Sequence, residues 1–267
     1  WLNFDNAPSS ERRIMRVAMY YNNNDIRMEE LPKPQIGEGE ILIRVEASGI
    51  CSTDTLEWYH INKAPLVLGH EIAGVIVETG KGVEKYKEGD RITAAHHVPC
   101  GSCYYCRTGH ETCCETLRSK THFIPGGFSE YIQLPKINAE KGVFPFPDDL
   151  SFEEASFTEP LACVLRGQRI AHIKQGQAVL VIGNGIIGLL HIKLARLQIG
   201  AGRIMATDIN PYRLGLAERF GADEAINAEE DIPGRFRQLN NGRLADLVIV
   251  CSGAVSAIKQ ALHSVEP

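Results

Sequence analysis

From Met15 to about residue 150, apolar and polar side chains alternate in short runs. MRVAMYY (15–21), EILIRVEASGI (40–50), EIAGVIVETG (71–80), DRITAAH (90–96) and FSEYIQL (128–134) are rich in β-branched and apolar residues. They are bounded by Pro32/Pro34, Gly37/Gly39 and Gly126/Gly127. Runs of this kind predict strands, and their succession predicts an all-β, barrel-like half. From Ser151 the period changes. SFEEASFTEPLACVLRGQRIA reads as helix, with Ser151 as N-cap and Glu154 three residues on. QAVLVIG, RIMATD and LADLVIVCSG then alternate with IIGLLHIKLARLQ, PYRLGLAERFG and SAIKQALHSV, the βαβ pattern of a buried parallel sheet. The predicted architecture is α/β with a β-barrel, divided into residues 15–155 and 156–267.

Composition narrows the class. The chain has 267 residues, 44% hydrophobic and 23% charged, enough to bury a substantial core in one or two domains. Its formal charge of -5 and its mixed charge signs leave no basic face, so neither nucleic acid nor an anionic membrane is an expected partner. The longest apolar run, Ala178–Ile182, is too short to span a bilayer, and the N-terminus lacks a secretory plan. The expectation is a cytoplasmic protein. Residues 1–14 contain no Met and are read as an extension or tag. A complete doubly wound dinucleotide domain carries about six strands, whereas strand candidates occur only near 178, 203, 223 and 246 before Pro267. The second domain is therefore expected to be C-terminally incomplete.

Cys100, Cys103, Cys106 and Cys114 follow the spacing Cys-x2-Cys-x2-Cys-x7-Cys. Four thiolates so spaced can close a tetrahedral zinc site of the structural kind. Disulfides are the competing reading. Five of the eight cysteines crowd into 100–114 while Cys51, Cys163 and Cys251 stand singly, which favours metal. In the second half, Gly183-Asn184-Gly185-Ile186-Ile187-Gly188 follows the strand AVLVI and opens a helix, and Asp208 ends the next strand. Gly183 makes the turn, Gly185 admits a pyrophosphate to the helix N-terminus and Gly188 permits close helix packing. Asp208 accepts from a ribose diol. An acid at 208 disfavours a 2′-phosphate and so favours NAD over NADP, with Arg213 a partial offset. A second metal candidate joins Cys51, in GICSTD, to His70-Glu71, in LGHEIAGV, with Glu159 in SFTEPLAC as a further ligand candidate. Taken singly, a Cys is more often buried packing and a His is often a hydrogen-bonded core residue.

GHEIAGVIVETGKGV, the four-cysteine loop and the late GNGIIG together resemble the zinc-containing medium-chain alcohol dehydrogenase family. Gly69-His70-Glu71, Gly74, Gly80 and Val83 stand at the family's intervals, and the resemblance covers residues 15–267. Glu159-Pro160-Leu161 is similar to the sorbitol, threonine and butanediol dehydrogenase branch. The resemblance implies a GroES-like catalytic domain and a Rossmann domain. It also implies one structural zinc, and one catalytic zinc on Cys51, His70 and Glu159, with Glu71 joining them or approaching the ion when bound water exchanges. Further implications are an Asp54 that orients His70, a Thr53 that relays the substrate proton, and an Ile187 that packs on the nicotinamide. The implied reaction is NAD-dependent oxidation of a secondary alcohol or polyol, by a homodimer or homotetramer when full length. An NADPH-linked aldehyde or ketone reductase and a non-catalytic zinc and nucleotide binding member are the competing functions.

Some members carry a relay histidine five residues after the first ligand, where this chain has Leu56. His60 is the substitute candidate, with an ordinary surface histidine as the plainer reading. Leu56, Trp58 and Tyr59 line a pocket or fill space. Gly109-His110-Glu111 repeats the catalytic tripeptide without the residues that should follow it, and Cys113 is a spare thiol. Cys163 competes as a third ligand, but the resemblance places the ligand directly before Pro-Leu, at Glu159, and Cys163 falls where the family lines the nicotinamide pocket. His96 and His97 precede the cysteine loop and are in reach of either metal candidate, with solvated or hydrogen-bonded strand-end histidines the plainer reading, and Gly89-Asp90-Arg91 reads as a turn with an ion pair.

Overall fold

A computed structural model describes residues 14–119 and 122–267. The predicted N-terminal extension therefore lies outside the described residues, except for Ile14, which begins the first strand. Two compact units divide between Glu159 and Pro160.

The first unit contains β1 (Ile14–Asn22), β2 (Asp25–Pro32), β3 (Ile41–Gly49), α1 (Glu57–His60), β4 (Leu66–Val67), β5 (Glu71–Thr79) and β6 (Arg91–Ala94). It continues through α2 (Tyr104–Arg107), α3 (Glu115–Ser119), β7 (Tyr131–Leu134), α4 (Lys136–Lys141), β8 (Val143–Pro145) and α5 (Phe152–Ser156). One sheet has the order β2-β1-β4 and the other β7-β3-β5-β6-β8. Strand β3 is the shared wall. Its period-2 alternation sends Ile41 and Ile43 into a core with Ile72, Ile76, Ile92 and Ile132. Leu42, on the opposite face, joins Met15, Val17 and Tyr131 in a second core. Each such aliphatic side chain stabilises the unit by about 1.5–3 kcal/mol on burial. Residue Ser151 caps α5 as predicted: its Oγ accepts from Glu154 N at 3.1 Å, and the Glu154 carboxylate accepts from Ser151 N at 2.9 Å. The predicted long helix is interrupted at Phe157, and α6 (Thr158–Ile170) begins at the following residue.

The second unit alternates β9 (Ala178–Ile182), α7 (Ile186–Leu194), β10 (Arg203–Asp208), α8 (Pro211–Phe220), β11 (Glu224–Asn227), α9 (Ile232–Leu239), β12 (Leu247–Val250) and α10 (Val255–Ser264). Its parallel sheet has the order β11-β10-β9-β12. Residues Ala178–Ile182 are all buried, as a strand covered by helices on both faces requires. The step from β10 across β9 to β12 makes a switch point beside β9, and the turn after β9 opens there, where such sheets take their ligands. No helix among the described residues is long and apolar enough to cross a membrane.

Candidate functional site

Antiparallel pairing of β3 with β5 brings together residues that lie far apart in sequence. Gly49, the last residue of β3, pairs with Glu71, the first of β5. The chain leaving β3 toward Cys51 therefore passes the chain entering β5 through His70. Ligand atoms of Cys51, His70 and Glu71 lie within 4.8 Å of one another. A thiolate, an imidazole and a carboxylate at that separation suit a zinc ion, with a fourth position left open.

Residue Asp54 ties this cluster together. Its Oδ2 accepts from Cys51 N at 3.0 Å and its Oδ1 stands 3.7 Å from His70 Nδ1, which leaves Nε2 for the ligand position. Burial lifts the Asp54 carboxyl above the usual range against the opposing pull of His70. On His70 burial works downward, but the Cys51 side chain and the charges of Asp54, Cys51 and Glu159 outweigh it and raise the net value. Glu71 is raised by burial and then by the charge of Glu159. Both carboxyls are thus held close to a site whose excess negative potential a dication would relieve. Glu159, in the first turn of α6, lies in electrostatic reach of His70 and Glu71. It stands outside the set of three converging atoms, and Glu71 completes that set. Thr53 is exposed in the 3-10 turn Ser52–Thr55 that follows Cys51.

The neighbouring residues take the following places. His60 is a buried residue, not a surface one, and its Nε2 lies 2.9 Å from the Thr53 carbonyl. His96 stacks on His70 with ring centroids 4.6 Å apart, and His97 lies 3.7 Å from His96. Burial pushes His96 down to about 2, helped by the neighbouring imidazoles His97, His70 and His122. Leu56, Trp58 and Tyr59 are exposed, the latter two in edge contact at 5.8 Å. Residues Cys163, His110 and Cys113 are exposed, outside both converging sets.

No disulfide joins the cysteines among the described residues. Cys100, Cys103, Cys106 and Cys114 converge within 4.8 Å, with Cys100 Sγ 3.9 Å and Cys103 Sγ 3.5 Å from Cys106 Sγ. A tetrahedron with metal–sulfur bonds of about 2.3 Å has edges of about 3.8 Å, so the spacing fits zinc and exceeds any S–S bond. Backbone amides of Ser102 and Cys103 donate to Cys100 Sγ at 3.4 and 3.3 Å. The Ser102 hydroxyl, followed by those amides, draws the Cys100 thiol down to about 5, toward the thiolate that a metal requires.

In the second unit, Gly183 has φ +91, a conformation that glycine adopts without steric cost. A Cβ on Gly188 would overlap the Gly183 carbonyl oxygen, whereas at Gly185, the N-cap of α7, nothing lies within 4 Å of that position. This leaves an open cradle at a helix N-terminus, as a pyrophosphate needs. Asp208 is buried, taking Asn184 N on Oδ2 at 2.7 Å and Asn210 N on Oδ1 at 2.9 Å. Each oxygen keeps accepting capacity for a ribose hydroxyl. Arg213 Nη1 is 3.8 Å from Asp208 Oδ2, and Ile187 is half-buried in the first turn of α7. Asn184 is fully buried, yet neither its Oδ1 nor its Nδ2 has a partner among the described residues. A ligand or water in the turn is needed to satisfy it.

A thiol-rich closed site, an open mixed-ligand site and a glycine turn on a parallel sheet define a metal- and dinucleotide-binding class of protein. Residues 37–148 match the alcohol dehydrogenase GroES-like domain, and residues 187–267 the zinc-binding dehydrogenase domain. The chain is 34% identical over 260 residues to sorbitol dehydrogenase of Bacillus subtilis, covering 94% of this chain and 72% of the relative. It is 37% identical over 241 residues to L-threonine 3-dehydrogenase of Bacillus licheniformis, covering 88% and 68%. A solved structure described as a zinc-binding dehydrogenase from Sinorhizobium meliloti bound to NADP superposes with TM-score 0.84 at 31% identity, covering 96% of this chain and 75% of that one. The chain belongs to the zinc-containing medium-chain alcohol dehydrogenase family, in its sorbitol and threonine dehydrogenase-like branch, with a GroES-like and a Rossmann domain. It is an oxidoreductase.

Proposed function

We propose that this enzyme oxidises a secondary alcohol or polyol with NAD, holding a catalytic zinc on Cys51, His70 and Glu71, with Glu159 as the alternate carboxylate. A structural zinc sits in the four-cysteine loop. The observation that carries the reading is the convergence of three unlike donors at the open end of the β3–β5 pair, beside an exposed threonine. When bound, zinc supplies the positive charge that acidifies a substrate hydroxyl, and the dinucleotide supplies the hydride acceptor.

The protein's own groups do the rest. Asp54 holds the His70 ring, the Thr53 hydroxyl accepts the substrate proton while releasing its own to solvent, and Glu71 and Glu159 balance the charge of the dication. The glycine turn at 183–188 receives the pyrophosphate, Asp208 the ribose, and Ile187 packs on the nicotinamide. The expected location is the cytoplasm and the expected assembly a homodimer or homotetramer. One observation favours a second reading of the cofactor. Arg213 lies close enough to Asp208 to offset its charge, so NADP is accepted more weakly than NAD. Initial rates on a panel of polyols, secondary alcohols and L-threonine, each with NAD and NADP, test both readings. Oxidation of a polyol or secondary alcohol with NAD preferred supports them, and turnover only of aldehydes or ketones with NADPH overturns them.

A further inference from the structure

His60 occupies an unusual environment for a residue with no metal to bind. It is 8% exposed, at the end of α1, which follows directly on the Ser52–Thr55 turn. Its Nε2 is 2.9 Å from the Thr53 carbonyl oxygen, so Nε2 carries the proton and donates. Nδ1 is buried without a partner among the described residues. Tyr59 and Tyr20 flank the ring edge-on at 5.0 and 5.9 Å. A buried imidazole with an unpaired nitrogen is less stable than an apolar ring of the same shape, so packing alone gives no reason for histidine here. Its donor hydrogen has a specific destination. The Thr53 carbonyl also accepts from Leu56 N at 3.1 Å, and Asp54 N donates to Cys51 O at 3.0 Å. The turn is thus closed from within by backbone bonds, and from α1 by His60.

We propose that His60 is a positioning residue for the reaction: its Nε2–H clamps the Thr53 carbonyl and so fixes the turn that presents the Thr53 hydroxyl and holds Asp54 against His70. This rests on the proposed roles of Thr53 and of the Cys51 site. Leu56 occupies the position where a relay histidine is found in some members of the family. His60 reaches the same turn from the far end of α1, acting on its geometry and not as a carrier of the proton.

Two variants separate this role from packing. His60→Phe keeps a ring between Tyr20 and Tyr59 but removes the donor, and His60→Gln keeps an N–H donor without the ring. With the zinc-loaded enzyme, His60→Phe is expected to keep wild-type zinc content and melting temperature. Its kcat should fall by about ten- to hundredfold, as small misplacements of reacting groups do, with KM unchanged. His60→Gln should recover most of that loss. In the wild-type protein, 15N NMR of labelled histidine should find His60 with Nε2 protonated and Nδ1 bare. The proposal is overturned by wild-type kcat in His60→Phe, by a kcat loss that accompanies loss of zinc or of thermal stability, by no recovery in His60→Gln, or by the Nδ1–H tautomer. A wild-type enzyme without alcohol oxidation counts instead against the proposed function, and the NMR result still stands as a test of the clamp.

Discussion

Replacing Gly185 and Gly188 separately with alanine distinguishes a glycine kept for a ligand from a glycine kept for packing. At Gly185, φ is -66 and ψ is -171, extended backbone open to any residue, and nothing in the protein lies within 4 Å of the new methyl group. Gly185→Ala should fold normally, and reduced freedom of the unfolded chain adds up to about 1 kcal/mol. A bound pyrophosphate, however, is expected against the amides at the start of α7. A methyl group there holds its oxygens off by roughly 1 Å, lengthening hydrogen bonds of about 2.9 Å beyond useful range. Losing one charge-assisted bond costs about 1.5–3 kcal/mol, so the Kd for NADH should rise at least about tenfold. Gly188→Ala differs because its Cβ would overlap the Gly183 carbonyl oxygen and stand 3.0 Å from the Gly183 carbon. Carbon atoms prefer roughly 3.5–4.0 Å, so α7 must withdraw from β9 by about 0.5–1 Å, at an overpacking cost of about 1–3 kcal/mol. The assays are thermal melts and fluorescence titration with NADH. Wild-type NADH affinity in Gly185→Ala refutes the cradle, and wild-type stability in Gly188→Ala refutes the packing argument.

Two further predictions use other parts of the molecule. A Cβ on Gly49 would overlap the Glu71 carboxylate across the ladder and stand 3.1 Å from Glu71 Cβ. Gly49→Ala should therefore keep the fold but swing Glu71 out of the ligand set, weakening catalytic-site zinc about ten- to hundredfold, as displaced ligand shells do; zinc retention against a chelator series reads this, and unchanged retention contradicts it. His191 is buried, faces Gln168 Nε2 at 3.2 Å from its Nδ1, and is pushed down to about 4 by burial. Because the folded pKa lies below the ordinary 6.5, the unfolded chain binds the proton first. The stabilisation from neutral His191 is full above about pH 6.5 and drains away as pH falls toward 4, amounting to about 2 kcal/mol between pH 7.5 and 5. Urea unfolding of His191→Gln should show a shallower loss over that window than wild type, and parallel curves contradict the burial argument.

Features encoded locally were legible in the sequence, and features made by tertiary pairing were less so. The four cysteines lie within one loop, and their spacing alone implies the convergence that the structure shows. The glycine turn is likewise local, and strand, turn, helix and acid follow one another as expected. Cys51, His70, Glu71 and Glu159 were all recognisable as candidates, but which carboxylate converges with the first two depended on something no local pattern carries. Glu71 turns into the cluster because its cross-strand partner is Gly49, which has no side chain to block it. The strand β2 went unread because it pairs with β1 alone and its residues are mostly exposed or half-buried, so no apolar alternation marks it. Helix α9 buries only Ile232 and Phe236, too sparse a stripe to stand out. His60 read more plainly as a surface histidine and His96 as a strand-end one, since the rings that pack on them, Tyr20 and His70, come from other elements.

The two proposed metal sites in the first unit have separate jobs, one holding a loop together and one doing chemistry. Metal analysis of wild type, Cys51→Ser and Cys103→Ser, with alcohol oxidation measured on each, tests this division most directly. About two zinc per chain are expected in wild type, and in Cys51→Ser a folded protein that retains the loop zinc and loses both the other zinc and the activity. Cys103→Ser should lose the loop zinc and the loop's protease resistance. Full activity and two zinc in Cys51→Ser, or loss of both metals together in each variant, would rule out separate roles for the two sites.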